Sequence, residues 1–451
     1  MLYQIQYTQS ADIMYIVHET ISPQKLTRTG HSSWSIGNET FTNGPFLDDG
    51  STAAWSGSKG YPRTVSFYEQ RLVFGGSTAY PQTIWASQSS IYTDFNIGSA
   101  AAADAFIYVI AANKVNAIRW LAPARDLVVG TTGGEFRVGK PAGEPLKPDN
   151  VNITQQTTYG GYTTEAIQIG NAILFVQKQR KKIREFSYQF KDDEYAAPDM
   201  CILAEHITGT GITDIAYAQE PESVYWAVRD DGVLLGMTYK REEDVIAWHR
   251  HILGGYISHS VNTSTSLQTS TADSLNNGNV TISSHGYVTG DAVVYDSNGN
   301  TDIAGLVNGN TYYVFVKDAN TIEFARTYKQ AIDRTINQIG AGSGIHIFKN
   351  HAKVQSIATI PTDSTTQIWT IIKRTVNGSV VQYIEYLDPT LNTDSTLNGL
   401  INGVSGTLTN LDHLEGESVQ ILVGDAVYPN QTIVDGSLTI TLPSTSGYQN
   451  V

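Results

Sequence analysis

His249 and His251 stand one residue apart in 245-VIAWHRHILGG-255. On a strand they share a face, which is a real spacing for two metal ligands. Zinc takes at least three protein ligands, and no third lies nearby among these apolar and basic neighbours. A structural pair is the expected reading. Cys201, in 199-DMCILAEHI-207, has His206 five residues on. In so apolar a run, a core thiol is expected over a nucleophile. Gly134 to Lys140, GEFRVGK, matches the start of a phosphate loop. However, Pro141 replaces the required hydroxyl and Phe136-Arg137-Val138 reads as strand. No GxSxG elbow occurs. Carboxylates that could serve a glycosidase, such as Asp192-Asp193-Glu194, Glu220, Glu222 and Glu242-Glu243-Asp244, fall in turn-like segments. The one concentrated positive patch is Lys178, Arg180, Lys181, Lys182 and Arg184. It is a candidate contact for phosphates or for a neighbouring subunit, set against the plainer reading of a solvated hairpin tip.

These residues sit on a recurring element. In 71-RLVFGGSTAYPQTIWA-86, two apolar runs flank turn chemistry from Gly75 to Gln82, so a hairpin is predicted with Ser77 to Gln82 exposed at its tip. The same pattern returns in 126-DLVVGTTGGEFRVG-139, 171-NAILFVQKQRKKIREFSY-188, 223-SVYWAVRDDGVLLGMTY-239 and 367-QIWTIIKRTVNGSVVQYIEYL-387, with a weaker copy in 11-ADIMYIVHETISPQKLTR-28. Asp231-Gly232 and Asn377-Gly378 are short-hairpin signals, because these residue types tolerate positive φ. Most intervals are roughly 45 to 60 residues, the scale of a four-stranded propeller blade. The last is too long by roughly 90 residues, the size of a small inserted domain.

The expected fold is therefore all-β: a β-propeller of about six blades, with an inserted small β-rich domain and a C-terminal β-domain; a β-sandwich pair is the structural rival. Residues 1–255 and 352–390 would form the propeller, 256–351 the insertion and 391–451 the C-terminal domain. The insertion opens on a polar stretch, 262-NTSTSLQTSTADSLNNGN-279, that reads as a mobile linker, and 327-TYKQAIDRTI-336 is its helix candidate. The final SGYQNV follows a strand-like segment directly and reads as cut rather than finished.

Composition agrees with a β-rich chain. Of 451 residues 41% are hydrophobic, with 40 Gly, 25 Tyr and 13 Phe, a mixture suited to strands and turns. The net charge of -14 argues against wholesale attraction to nucleic acid or an anionic membrane. A single cysteine excludes an internal disulfide and a Cys-rich zinc site. The N-terminus lacks the pattern of a secretion signal, and no apolar run of about 18 residues predicts a membrane span.

The stretches 67-FYEQRLVFGGSTAYPQTIWAS-87, 114-KVNAIRWLAPARDLVVGTTGGEFRV-138 and 171-NAILFVQKQRKKIREFSYQF-190 resemble the tail nozzle (tail tube) proteins of short-tailed (podovirus) bacteriophages. So, most specifically, does 200-MCILAEHITGTGITDIAYAQEPESVYWAVRDDGVLLGMTYKREEDVIAWHRH-251. With 8-TQSADIMYIVHETISPQKLTRTG-30 and 413-HLEGESVQILVGDAVYPNQTI-433, the likeness covers about 1–255 and 352–442. Within the insertion, 283-SSHGYVTGDAVVYDS-297 and 305-GLVNGNTYYVFVKDANTIEFARTYKQAI-332 resemble the β-modules labelled FCCH in phage proteins. That module contains no cysteine, so a contact or spacing role is expected. Members of the family typically extend further at both ends.

The resemblance implies a virion protein of the tail, assembled in the host cytoplasm. It would be a homo-oligomeric ring, usually a hexamer, beneath the portal and its adaptor ring. Tail fibre or spike proteins would attach beside it, and genomic duplex DNA would touch it only in transit. It implies no enzyme activity and no cofactor. A ring around DNA must not hold it tightly, since each neutralised phosphate adds affinity, and an acidic chain suits that. The alternative is a β-rich adhesin stacking a host-surface glycan on its tryptophans, Trp34, Trp55, Trp85, Trp120, Trp226, Trp248 and Trp369. Six of the seven lie in or beside apolar strand-like runs, which favours core. A propeller enzyme is the third reading and would need carboxylates converging at the propeller axis.

Overall fold

The computed structural model describes residues 4–450 apart from 48, 113–115, 142, 192, 269–277, 392, 403, 425 and 443–447. The protein is all-β, built from small antiparallel sheets. It divides into two compact units, Met1–Ile215 and Ala216–Val451, with the boundary inside strand Ile212–Ala218.

The first unit holds four sheets, each of four strands paired in sequence order, at residues 6–38, 64–109, 118–157 and 167–196. Strand alternation lets one run of apolar residues serve two cores. In the second sheet, Leu72, Phe74 and Trp85 join Tyr15 and Val17 of the first, whereas Val73, Ile84 and Ala86 face Leu121, Leu127 and Val129 of the third. In the third, Trp120, Ala122 and Val128 turn to Ile173, Phe175 and Phe186 of the fourth. Because both faces are covered, strands such as Arg71–Gly75 and Leu127–Thr131 are buried at every position, and they read as continuous apolar runs.

In the hairpin between Arg71–Gly75 and Thr83–Ala86, Gly76 turns the chain at φ 59. Its tip is tucked in rather than fully exposed. Ser77 is buried, its N–H donating to Tyr80 O at 3.0 Å and its Oγ accepting from Tyr80 N–H at 3.1 Å. Thr78 and Ala79 alone of the tip are fully exposed.

The second unit carries a four-stranded sheet whose order runs from Ile212–Ala218 to Val245–His251, and a three-stranded sheet at 353–386. Ala216, Trp226, Val228 and Leu234 of the former pack on Val354, Ile357 and Ile372 of the latter. Between them in sequence, strands from Tyr256–Asn262 to Ile345–His351 build one seven-stranded sheet around Tyr295, Val314, Phe324 and Phe348. The expected helix over 327–336 is a short one, Tyr328–Ile332, capped by the Thr327 side chain. The polar stretch at 262–279 begins with the end of a strand and a four-residue helix, Thr263–Ser266; 269–277 lie outside the described residues. Beyond the three-stranded sheet, three two-stranded pieces enclose Ile401, Leu414, Ile433 and Ile440.

Asn377 and Gly378, at φ 50 and 75, make the two-residue turn their types predict. The Asp231-Gly232 turn differs: only Gly232 has positive φ. Asp231 instead accepts from Arg229 at 2.8 and 2.6 Å and from Val233 N–H at 3.3 Å, so its carboxylate holds a longer loop.

Candidate functional site

Lys178, Arg180, Lys181, Lys182 and Arg184 occupy the tip and return strand of the hairpin joining Ala172–Val176 to Ile183–Gln189. Arg180 turns the chain in the left-handed region, at φ 66. Folding brings acceptors to three of the five. Lys182 Nζ lies 2.6 Å from Asp199 and 3.2 Å from Glu205, and these bonds hold its pKa above the usual lysine value. Arg184 donates to Gln177 Oε1 at 3.0 Å and Ala197 O at 2.9 Å, with its guanidinium 3.7 Å from the centre of the Tyr159 ring. Arg180 lies 5.6 Å from the Tyr162 ring centre. Lys178 and Lys181 remain exposed at the tip. Exchanging both for alanine should leave stability within about 0.5 kcal/mol. It should also lower the log-affinity versus log-salt slope of any duplex binding by about 2. Fluorescence anisotropy with a duplex oligonucleotide across a salt series measures that slope.

His249 and His251 find their third group far away in sequence. His251 Nδ1 lies 2.8 and 3.0 Å from the two Asp394 oxygens, 143 residues on, and its Nε2 is 3.0 Å from His249 Nδ1. The carboxylate can only accept at neutral pH, so His251 donates to it through Nδ1. The His249 ring lies across Gly236, where a Cβ would come within 2.3 Å of its Nε2. Trp226 stands edge-on to His249 with ring centres 5.5 Å apart. Burial first, and the His251 charge second, lower the His249 pKa. The three side chains form one hydrogen-bonded chain. It pins the segment around Asp394 and Ser395 to strand Val245–His251, helped by Gly254 N–H donating to Ser395 Oγ at 2.8 Å. That segment borders a cavity of about 600 Å³ whose aliphatic lining includes Leu397, Leu411, Leu414 and Ile421. Nothing near His251 in the chain marks Asp394; only long-range folding pairs them.

A second polar cluster lies where the seven-stranded sheet meets the three-stranded one. Asp291 receives Lys353 Nζ at 2.8 Å and Asn350 Nδ2 at 3.1 Å, and burial raises its pKa. His259, whose Nε2 is buried without a partner, has its pKa pushed down to about 4, chiefly by burial and then by the charges of His285 and Lys353. The unfolded chain, with His259 near its ordinary value, binds the proton first as pH falls. This contribution to stability is therefore complete above pH 6.5 and is lost between 6.5 and about 4, amounting to on the order of 2 kcal/mol for a partly screened group. His259→Asn should flatten the stability-against-pH curve in that window, as followed by guanidinium titration at stepped pH.

The remaining candidates are structural. Cys201 is buried with its thiol pushed up to about 11 by burial, and it accepts from Ile183 N–H at 3.4 Å, whereas His206 is exposed. Gly134–Gly139 is a strand, and Lys140 pairs with Glu69. Asp193, Glu194, Glu220, Glu222, Glu242, Glu243 and Asp244 are exposed, and Asp192 lies outside the described residues. Burial raises Glu135 and Glu165 as well as Asp291; the first two, both raised to about 7, lie on a strand and in a loop, apart from those acidic clusters. Among the described residues no group of three His, Cys, Asp or Glu side chains could hold a metal, and no helix is long and apolar enough to cross a membrane.

No family model matches the chain, and no curated protein matches it. Among solved structures, a proposed 6-phosphogluconolactonase of Bacteroides uniformis is similar over 76% of this chain and 88% of its own, at 11% identity and a TM-score of 0.37. One from Bacteroides fragilis gives 76%, 86%, 9% and 0.33 in the same order. A third, U3-55K, gives 81%, 90%, 8% and 0.32. Likenesses this slight bear on neither activity nor partners.

Proposed function

We propose that the chain is a structural subunit of a bacteriophage tail, a nozzle ring through which the genome is ejected, with its serial sheets arranged as the blades of a β-propeller. The extended sequence resemblance motivates this reading. The observation that carries it is the fate of the basic tip. Lys182, Arg184 and Arg180 are engaged by Asp199, Glu205, Gln177, Tyr159 and Tyr162. A chain of net charge -14 therefore offers duplex DNA two exposed lysines at its one concentrated basic patch. That weak hold suits a conduit that must let DNA slide. Portal-adaptor contacts on one side of the ring and fibre or spike contacts beside it complete the role. A glycan-binding adhesin is less well supported, since Trp85 and Trp120 are fully buried and Trp34 is the exposed tryptophan among the described residues. Immunogold labelling of virions tests the proposal: label should decorate the tail, and virions without label there would sink it.

A further inference from the structure

An outer strand shows a row of unpaired N–H and C=O groups, and proteins guard such edges with shortness, charge or cover. Among the last strands of the successive sheets, most are guarded. Phe106–Val109 and Glu194–Ala196 are short, Asn152–Thr157 is largely polar, and Val245–His251 carries Arg250 and the Asp394 contact. Two are not. Ser33–Asn38, SWSIGN, bears no charge and is exposed at every residue, with Trp34 55% and Ile36 64% exposed. Ser379–Tyr386, SVVQYIEY, is eight residues long, and its single charge, Glu385, is matched by the buried Arg374. Ser379–Tyr386 is also an edge one strand early. Its sheet has three strands where the five sheets between residues 6 and 251 have four each, and the chain beyond it is bonded elsewhere, through Asp394 to His251 and Ser395 to Gly254.

The ladder fixes which groups face outward. Leu387 N–H donates to Ile368 O, and Trp369 pairs with Tyr386, so the odd residues bond inward and Val380, Gln382, Ile384 and Tyr386 turn their backbone groups to the open edge. Likewise Glu39 N–H donates to Pro23 O, which leaves Trp34, Ile36 and Asn38 facing outward. These same residues carry most of the exposed apolar side chains of the two strands, including Ile384 at 73% and Tyr386 at 47%, with Tyr383 on the other face. Directly hydrogen-bonded residues in an antiparallel pair share a face. Pairing the two edges would therefore place Trp34 and Ile36 beside Ile384 and Tyr386, completing both ladders and covering both apolar faces at once.

We infer that Ser379–Tyr386 of one copy takes Ser33–Asn38 of a second copy as its missing strand, giving a seven-stranded sheet across the subunit boundary (three strands plus four). The contact joins two different surfaces, so it propagates head to tail, and it makes the ring proposed above where the rotation between copies closes. It deepens the ring reading proposed above and rests on it, but it is tested on purified protein rather than on virions.

The test compares the full chain with Ile36→Pro and Ile384→Pro, each of which removes one outward N–H without breaking the inner ladder. Ile36→Lys and Ile384→Lys serve as backbone-neutral counterparts, with circular dichroism confirming the fold. Mass photometry should show a closed oligomer for the unmodified chain and monomers for each variant alone. An equal mixture of the two variants should give heterodimers that grow no further, because one live contact remains. A monomeric unmodified chain, variants that still assemble, or a mixture without heterodimers would overturn the inference. So would assembly that survives Ile36→Pro but not Ile384→Pro, the mark of a two-fold contact. Any of these could occur while label still decorates the virion tail, so the two proposals fail separately.

Discussion

Replacing Trp120 by alanine should lower the stability of the first unit by about 3–5 kcal/mol, at the upper end for a buried aromatic. The indole is fully buried, in contact with Phe175 at a ring-centre distance of 5.2 Å. Two of its other neighbours are glycine backbone. A Cβ at Gly130, its cross-strand partner, would come within 2.0 Å of the indole, and one at Gly161 within 2.3 Å. Backbone held in a ladder cannot collapse into a hole, and glycine has no side chain to fill it, so the cavity persists. The indole N–H has no partner, so the loss is one of packing. Gly130→Ala should be destabilising from the opposite direction, by overpacking against the same ring. Guanidinium titration followed by circular dichroism measures both. Hydrogen exchange should accelerate first where the third and fourth sheets share this core.

Arg71→Met should cost about 3 kcal/mol, because several backbone carbonyls lose a charged donor at once. The guanidinium is buried and has no carboxylate bonded to it. It donates to Ser87 O and Asp104 O at 2.7 Å and to Ala102 O at 2.6 Å. Each bond closes the irregular segment between strands Thr83–Ala86 and Phe106–Val109 onto Arg71–Gly75. The variant should be cut by protease between 88 and 104 well before the unmodified chain, while the flanking strands stay protected. Arg71→Lys should be intermediate, since one ammonium cannot span carbonyls that a planar guanidinium reaches together.

Arg71 shows how far the local chain can be read. Its place at the start of a hairpin strand follows from the apolar run after it. Its partners lie 16 to 33 residues on in a segment without regular structure, and no periodicity announces them. The turn at Asn377-Gly378 is legible because two residues carry the whole conformation. At Asp231-Gly232, a carboxylate reaching its own loop overrides the simpler two-residue turn. The helix at Tyr328–Ile332 is shorter than its sequence predicts, since the chain turns through Arg334 at φ 54 soon after.

The sequence by itself determined the strands, most of the turns and the recurrence of one hairpin, because these depend on neighbours two to ten residues apart. Charge and cysteine count, also local facts, bounded the plausible partners. Tertiary structure alone decided which polar groups meet. The basic tip was legible as a run of cations, yet whether those cations face solvent depends on Asp199, Glu205 and Tyr159, brought in from other segments. His249 and His251 were legible as a pair, but Asp394 comes from 143 residues away and makes them a pin rather than a metal site. The same holds for the edges. A strand's alternation shows what it could bury, and only the pairing of strands within each sheet shows that, among the described residues, Ser33–Asn38 and Ser379–Tyr386 each lack a partner on one edge.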